Sequence, residues 1–555
     1  MVAPMLFLGN VSGHDFQFHL ASWMDAAHQW REGILFPRWA EWANWGFGEP
    51  RFVFYPPASW IAGAALGSVL PWRIAPGAFI WLTLITAGMS MWVLARGRLS
   101  GPHAVVAAVL FAVNPYHLVI VYYRSDFAEL LAEALLPLLV LVALRVVCEK
   151  WSHVPLLAFA FAGIWLSNVP AAVIATYSLG LALIVGCIVR RSFRPLLPGA
   201  TAMIAGFCVA ACYILPAATE RGWVQITQAL GEDLRPAQNF LFTRANDPDF
   251  VLFNWKVSWV ALGVMTLSGI AAVFAARKRR DFPHLWWILV ALAAIAAALM
   301  FSPSQWFWLH LPELSFVQFP WRWLEIVNLA LAFFVAAAMS RYQKRWASWL
   351  AVALVFLAIG ATARAMVADA WWDSADVPAL ATAFSLQHGY EGTDEYAPNG
   401  CDRAQLAGNP DDSTRPENVS ALPAPPIGKL DPASGEEVPA AGVRIHVALW
   451  SAERRVFTAE APAPVTLALR VVDYPAWGLR VDGQKIRAGL RPGTNQVLLS
   501  LTAGTHRVEA RFRRTADRTA GDTISAFSTL ILLGFVAARR RRRNTERRAT
   551  PGGGA

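Results

Sequence analysis

Apolar stretches of about twenty residues recur along this 555-residue chain, and no other feature limits its fold so strongly. They lie at 74–95, 102–121, 126–148, 170–189, 197–215, 257–276, 284–301, 324–339, 346–363 and 522–538. A helix needs about 20 residues to cross a hydrocarbon layer, so each reads as a membrane span. A shorter run at 154–167 ends at Asn168 and Pro170, which punctuate it as one arm of a helical hairpin, the eleventh span. Composition agrees. Only 15% of residues are charged, where soluble domains carry about a quarter, and 56% are apolar. Disordered, collagen-like and coiled-coil classes are excluded, because the 38 Gly and 35 Pro follow no period. The five cysteines form no CxxC pair; Cys208 and Cys212 fall on one face of a predicted helix and read as packing residues.

The joins between spans carry the orientation signal. Basic clusters occupy every second join: Arg96 and Arg98, Lys150, RRSFR from 190, RKRR from 277, RYQKR from 341 and RRRRR from 539. Together the segments 96–101, 149–153, 190–196, 277–283, 340–346 and 539–555 hold 20 basic and 3 acidic residues, a net of +17, so the rest of a chain of net charge +10 sums to −7. Those joins and the C-terminus are therefore expected in the cytoplasm, in a multi-pass protein of the cell membrane. The excess charge reports threading, and nucleic acid is not an expected partner.

The chain then divides as follows. Residues 1–73 form an extracytoplasmic and juxtamembrane segment with interfacial helices, in which 54–71 is apolar but does not cross. Residues 74–363 form the multi-span domain. An extracytoplasmic, loop-rich connection (364–441) leads to a β-sandwich (442–521), where VRIHVALW, RRVFTAEA, VTLALRVVDY and later segments alternate like strands. The last span (522–538) and a basic tail (539–555) complete the chain. The opening MVAPMLFLGN is too short to span and reads as the tail of a first helix beyond this sequence. The expected fold is a polytopic α-helical membrane protein of about 11 spans with an extracytoplasmic β-sandwich near its C-terminus.

Ionisable residues at or inside a bilayer are costly, so the outer acids come first as functional candidates. Asp15 lies one helical turn before His19 and opens an amphipathic stretch, where composition alone favours its being the helix's N-cap. In YYRSDFAELLAEALLP, Arg124 precedes Asp126, Glu129 and Glu133, spaced three and four apart so that the three carboxyls share a helix face. A cap explains Asp126 and Glu129 but not Glu133, two turns into an apolar helix. In FPWRWLE, Arg322 can bind a phosphate or anchor the interface, with Glu325 one turn on. The 26 Trp read mainly as interfacial anchors. The histidines His14, His19, His28, His117 and His310 form no HExxH spacing, so no zinc site is read from them. The NxS triplets at Asn10 and Asn418 matter only in a secretory compartment.

The order of these pieces resembles the GT-C class of membrane glycosyltransferases. In that class an acid in the first outer loop precedes juxtamembrane helices, two spans and a second outer loop with another acid. At closer range the chain resembles the bacterial membrane proteins labelled 6-pyruvoyl-tetrahydropterin-synthase-related, through GHDFQFHL, FPRW (36–39), FYPP (54–57), YYRSDFAE, FPWRW, YEGTDEYAP (390–398) and YPAWGLRVDG (474–483). The resemblance implies transfer of a sugar from a polyprenyl-phosphate donor to a cell-envelope glycan or lipid acceptor on the outer face. Asp15, Asp126 and Glu129 would then be catalytic, and His19, Arg124, Glu133, Arg322 and Glu325 would bind substrate. Membrane lipids, the polyprenyl-phosphate sugar and the glycan acceptor are the implied partners. No cofactor is implied with certainty, and a divalent cation held by Asp126 and Glu129 stays open. The rival expectations are a lipid or polysaccharide transporter and a non-catalytic assembly protein whose β-domain binds polymer.

Overall fold

A computed structural model of the chain describes residues 1–244, 246–340, 345–406, 427–431 and 437–549. Among them, eight helices are long and apolar enough to cross a membrane: Ala75–Arg96, Gly101–Arg124, Phe127–Cys148, Val169–Arg190, Pro248–Arg280, Pro320–Met339, Trp346–Asp369 and Ala516–Arg541. Two bent pairs raise the number to ten, and Trp151–Trp165 is a shorter apolar helix beside them.

The bent pairs correct the sequence reading. The expected span 197–215 stops at Val209 and resumes as Ala211–Trp223 at 74°. Pro216 explains how the break persists: it has no N–H to give the Cys212 carbonyl, and Arg38 donates to that oxygen instead, at 3.4 Å. The Cys212 N–H is taken by Ser525 Oγ at 2.7 Å. Cys208 and Cys212 therefore flank a bend and do not share a helix face. Likewise 284–301 becomes Pro283–Leu299, followed at 96° by Ser302–His310. The last helix begins at Ala516, six residues before the expected 522.

The segments between helices sort to two ends. One end gathers the N-terminal segment, the stretch after the first bend, the loop at 302–323 and the chain after Asp369. Bridges Val11↔Trp372, Ala43↔Tyr390 and Val224↔Pro398 tie the first two of these segments to the chain after Asp369, and Gln318 of the 302–323 loop donates to Ala229 O at 2.7 Å. At the other end Arg190 bonds the carbonyls of Val147 and Cys148, and Arg98, Arg145, Asp281 and His284 surround one pocket. Arg341 and Lys344 of the expected basic join lie outside the described residues.

The helix Phe16–Arg31 does not lie on an interface as an amphipathic helix would. It is buried on most of its circumference, Trp23 and Asp25 completely, because the bundle covers one side and the chain around Tyr390 the other. Helix Pro57–Val69 packs against it and has thirteen residues, too few to cross. Gly63 permits that approach: a Cβ there would sit 2.0 Å from the Trp23 ring. Five of the 26 tryptophans, Trp23, Trp39, Trp60, Trp308 and Trp321, are fully buried and serve packing.

The strand-like segments form a sandwich of two antiparallel sheets. In chain order the strands are β1 (Ile427–Leu430), β2 (Glu437–Pro439), β3 (Arg444–Trp450), β4 (Arg454–Ala461), β5 (Val465–Val472), β6 (Trp477–Val481), β7 (Gln484–Ile486), β8 (Gly489–Leu490), β9 (Gln496–Leu501) and β10 (Gly504–Phe512). The sheet orders are β2-β1-β5-β9-β8 and β3-β4-β10-β6-β7. β1, β2 and the helix Asp376–Ser385 fall inside the stretch read as loop-rich, 364–441. The short polar strands there carry too weak an alternation to stand out, and they form because β1 pairs with β5 and β2 with β1. Residue Asn418 lies outside the described residues.

The sandwich core continues into the membrane domain. Trp39 packs on Tyr474, Trp477 and Phe512, in one apolar cluster with Phe47, Phe54 and Tyr396. The FPRW, FYPP and YPAWG segments thus meet at this junction.

Candidate active site

The second helix of the bundle is built to end early. Asn114 caps a restart at Pro115, its Oδ1 accepting from the N–H groups of Tyr116 and His117 at 2.9 Å. The last turn, Ile120–Arg124, widens to a π-helix, a local distortion common at functional sites. Ser125 is left-handed (φ 56°), and Asp126 caps the next helix by accepting from Glu129 N at 3.0 Å. This reversal turns Arg124, Asp126 and Glu129 toward one another.

The N-terminal loop is fastened along the same reversal. Asp15 N–H donates to Arg124 O at 2.8 Å, Gly13 N–H to Ser125 Oγ at 3.1 Å, and Ser125 Oγ–H to Val11 O at 3.1 Å. Gly13 is required by this contact: a Cβ there would lie 2.6–2.8 Å from Arg124 C, Tyr123 O and Ser125 N. Asp15 precedes the helix at the cap position, yet its side chain makes no cap bond. Its Oδ2 accepts from Arg124 Nη2 at 2.8 Å, and its side chain is 34% exposed.

Behind Asp15 the charges are buried and shared. Arg124 reaches Glu129 Oε2 at 3.3 Å and Asp126 Oδ2 at 3.4 Å. From the opposite side Arg322 reaches the same two oxygens, Glu129 at 3.0 Å and Asp126 at 3.4 Å, and donates to Val317 O at 2.9 Å. Tyr116 donates its hydroxyl to Glu129 Oε1. His19 Nε2 lies 3.6 Å from Asp126 Oδ1, its ring against Phe127 and Tyr55. Phe319 flanks both guanidinium groups at 5.1–5.2 Å. Burial, with the Arg124 guanidinium nearby, lowers the pKa of His14 from the ordinary imidazole value, and Asp15 opposes that shift.

Six of the eight sequence candidates, Asp15, His19, Arg124, Asp126, Glu129 and Arg322, are thus in one cluster. Glu133 and Glu325 are not joined to it by any hydrogen bond. Glu133 is fully buried beside His117, Oε2 to Nε2 2.9 Å, and Glu325 is fully buried with neither carboxylate oxygen hydrogen-bonded. Two guanidiniums already occupy the space between Asp126 and Glu129, and His19, 3.6 Å from Asp126, does not bring three ligand atoms close enough together to hold one cation among the described residues. The donors do not fit a divalent cation at this place.

A supporting layer escaped the sequence reading. Asp25 accepts from Gln29 Nε2 at 2.8 Å, Trp42 N at 3.2 Å and Tyr390 Oη at 2.9 Å, and burial raises its carboxyl. Arg51 pairs with Glu49 at 2.7 Å and bonds Ser22 Oγ at 3.0 Å, with its guanidinium over Phe18. Glu49 in turn accepts from Thr393 N at 3.0 Å, so YEGTDEYAP is fastened to the N-terminal segment. Tyr116 was missed as well; the NP turn that positions it was its one visible signal.

The sequence matches, over residues 52–371, the family described as 6-pyruvoyl-tetrahydropterin synthase related domain, a membrane protein. The chain belongs to this family. The matched part of this related-domain protein holds Arg124, Asp126, Glu129 and Arg322, whereas Asp15 and the β-sandwich lie outside it. No curated protein matches the chain. Among solved structures it is similar to a single-particle cryo-EM structure of the arabinofuranosyltransferase AftD from Mycobacteria, at 17% identity and a TM-score of 0.39. That match covers 67% of this chain and 27% of the other, so this chain spans about a quarter of that protein's length.

Proposed function

We propose that this family member is a membrane glycosyltransferase of the GT-C class, moving a sugar from a polyprenyl-phosphate donor to a cell-envelope glycan or lipid acceptor. The observation that carries the reading is that Asp15 alone of the clustered acids faces solvent, and is held by a buried guanidinium. An acceptor hydroxyl placed at Asp15 gives its proton to the carboxylate as its oxygen bonds the sugar's anomeric carbon. The bond from that carbon to the lipid phosphate breaks, and the phosphate leaves with the electron pair. Once protonated, Asp15 holds Arg124 less strongly, and the guanidinium turns its charge to the departing phosphate. Arg322, Asp126 and Glu129 keep Arg124 in place, with His19 beside Asp126. Glu133 and Glu325 are assigned no substrate contact.

An apolar groove supports the lipid donor. It encloses about 1750 Å³ along helices Ala75–Arg96 and Gly101–Ala112, and Asn10, Arg73, Asp373 and Ser374 are among the polar residues that line it. Asn10 is five residues from Asp15, at most about 18 Å of extended chain. The charge asymmetry of the joins supports an outer location for this end of the bundle and the β-sandwich, with the C-terminus in the cytoplasm.

The test is complementation with Asp15→Asn and Asp126→Asn at normal expression, reading a surface glycan. Loss of the base should lower transfer by about 10²–10⁴-fold. Full glycan with both variants overturns the reading. Uptake of substrate by reconstituted vesicles without covalent transfer would favour a transporter, and polymer binding by a protein that transfers nothing would favour an assembly role.

A further inference from the structure

The end of helix Phe16–Arg31 carries His28, Glu32 follows one turn on, and the chain returns past them at Glu41. One ligand atom from each of these three residues lies within 4.8 Å of the other two. His28 Nε2 is 3.5 Å from Glu32 Oε1. Glu41 is 3% exposed and its Oε2 has no hydrogen-bond partner. A buried carboxylate oxygen in that state is costly, and native proteins ordinarily give it a donor or an ion.

The neighbouring charges do not supply that partner. Asp25 is engaged by Gln29, Trp42 and Tyr390. Arg455 donates from Nη1 to Arg470 O at 2.6 Å and rests over the Trp450 ring; its Nε and Nη2 have no hydrogen-bond partner, and it acts on Glu41 only through space.

We infer that His28, Glu32 and Glu41 form a site for a first-row divalent cation of the zinc type, separate from the Asp15 cluster and independent of glycosyl transfer. One imidazole nitrogen with two carboxylate oxygens is a zinc donor set, whereas Ca²⁺ and Mg²⁺ call for six or more oxygens. Tetrahedral bonds of about 2.0–2.2 Å place ligand atoms about 3.3–3.6 Å apart. The His28–Glu32 pair already has that separation, and rotation of the outer Glu32 side chain closes the rest. Half-exposed His28 leaves a way in and a fourth position for water. Ala452 N–H points to Glu32 Oε2 at 3.5 Å, so the cation would tie this helix to the β-sandwich.

Full-length protein in detergent, stripped with a chelator, should be titrated with ZnCl₂ by calorimetry and by thermal unfolding. The expected result is one zinc per chain that raises the unfolding temperature, weakened at least about tenfold by Glu41→Gln and by Glu32→Gln. Glu32 lies at the surface, so its variant is expected to fold and keeps the test valid if Glu41→Gln does not. Absence of zinc uptake overturns the proposal. So does uptake that Glu32→Gln leaves unchanged, which would place the metal on other histidines such as His506.

Discussion

Three carboxylates, Asp15, Asp126 and Glu129, meet at the guanidinium of Arg124. Only a planar fork with several donors can serve three acids at once, so Lys is no substitute. Arg124→Lys should therefore lose transfer nearly as completely as Arg124→Met, measured by glycan in the complementation strain. Arg124→Met should also cost about 3–5 kcal/mol of stability, because it strips buried acids of a partner. The residue pattern made part of this visible. Asp126 and Glu129 share a face by their spacing, and Arg322 stood out in an aromatic run. That Asp15 is the exposed acid was not visible, since it depends on Gly13 meeting the backbone at Arg124 more than a hundred residues away.

At the level of elements, the bent helix after Ala210 docks to the last helix through one buried salt bridge. Arg518 holds Glu220 with two bonds of 2.6 Å, and Tyr474 of the sandwich donates to the same carboxylate at 2.5 Å. One acid thus links the bend, the β-sandwich and the final span. Arg518→Leu leaves Glu220 buried with its charge uncompensated, and should destabilise by about 3–5 kcal/mol. Limited proteolysis should then cut first between the sandwich and Ala516. The double variant Glu220→Leu with Arg518→Leu should be less damaging than the single change, because no lone charge remains buried. Helix lengths were legible from apolar runs, but neither bend was. The run at 197–215 continues unbroken in composition, and the break depends on Ser525 and Arg38 taking the freed backbone groups.

For the whole molecule, stability should depend on pH through acids packed between the membrane domain and the sandwich. Desolvation, with Glu49 and Asp394 nearby, pushes Glu395 up to about 7 from 4.5. The unfolded chain loses this proton near pH 4.5 and the folded chain keeps it to about 7, so this contribution falls as pH rises through that window and is constant above it. Glu395→Gln should flatten the decline of unfolding temperature between pH 4.5 and 7 and leave the profile above 7 parallel to wild type. By itself the sequence determined the membrane class, eight of the crossing helices, the charge asymmetry of their joins, the β-sandwich and most of the acid cluster. Those rest on short-range signals, apolar length, period-two alternation and three- or four-residue spacing, which a chain carries wherever it folds. Only tertiary structure decided which acid meets solvent, where two spans bend, that the first long helix is buried, and that Glu41 faces His28 and Glu32. These depend on partners tens to hundreds of residues apart, whose meeting is set by packing and by the need to satisfy buried polar groups.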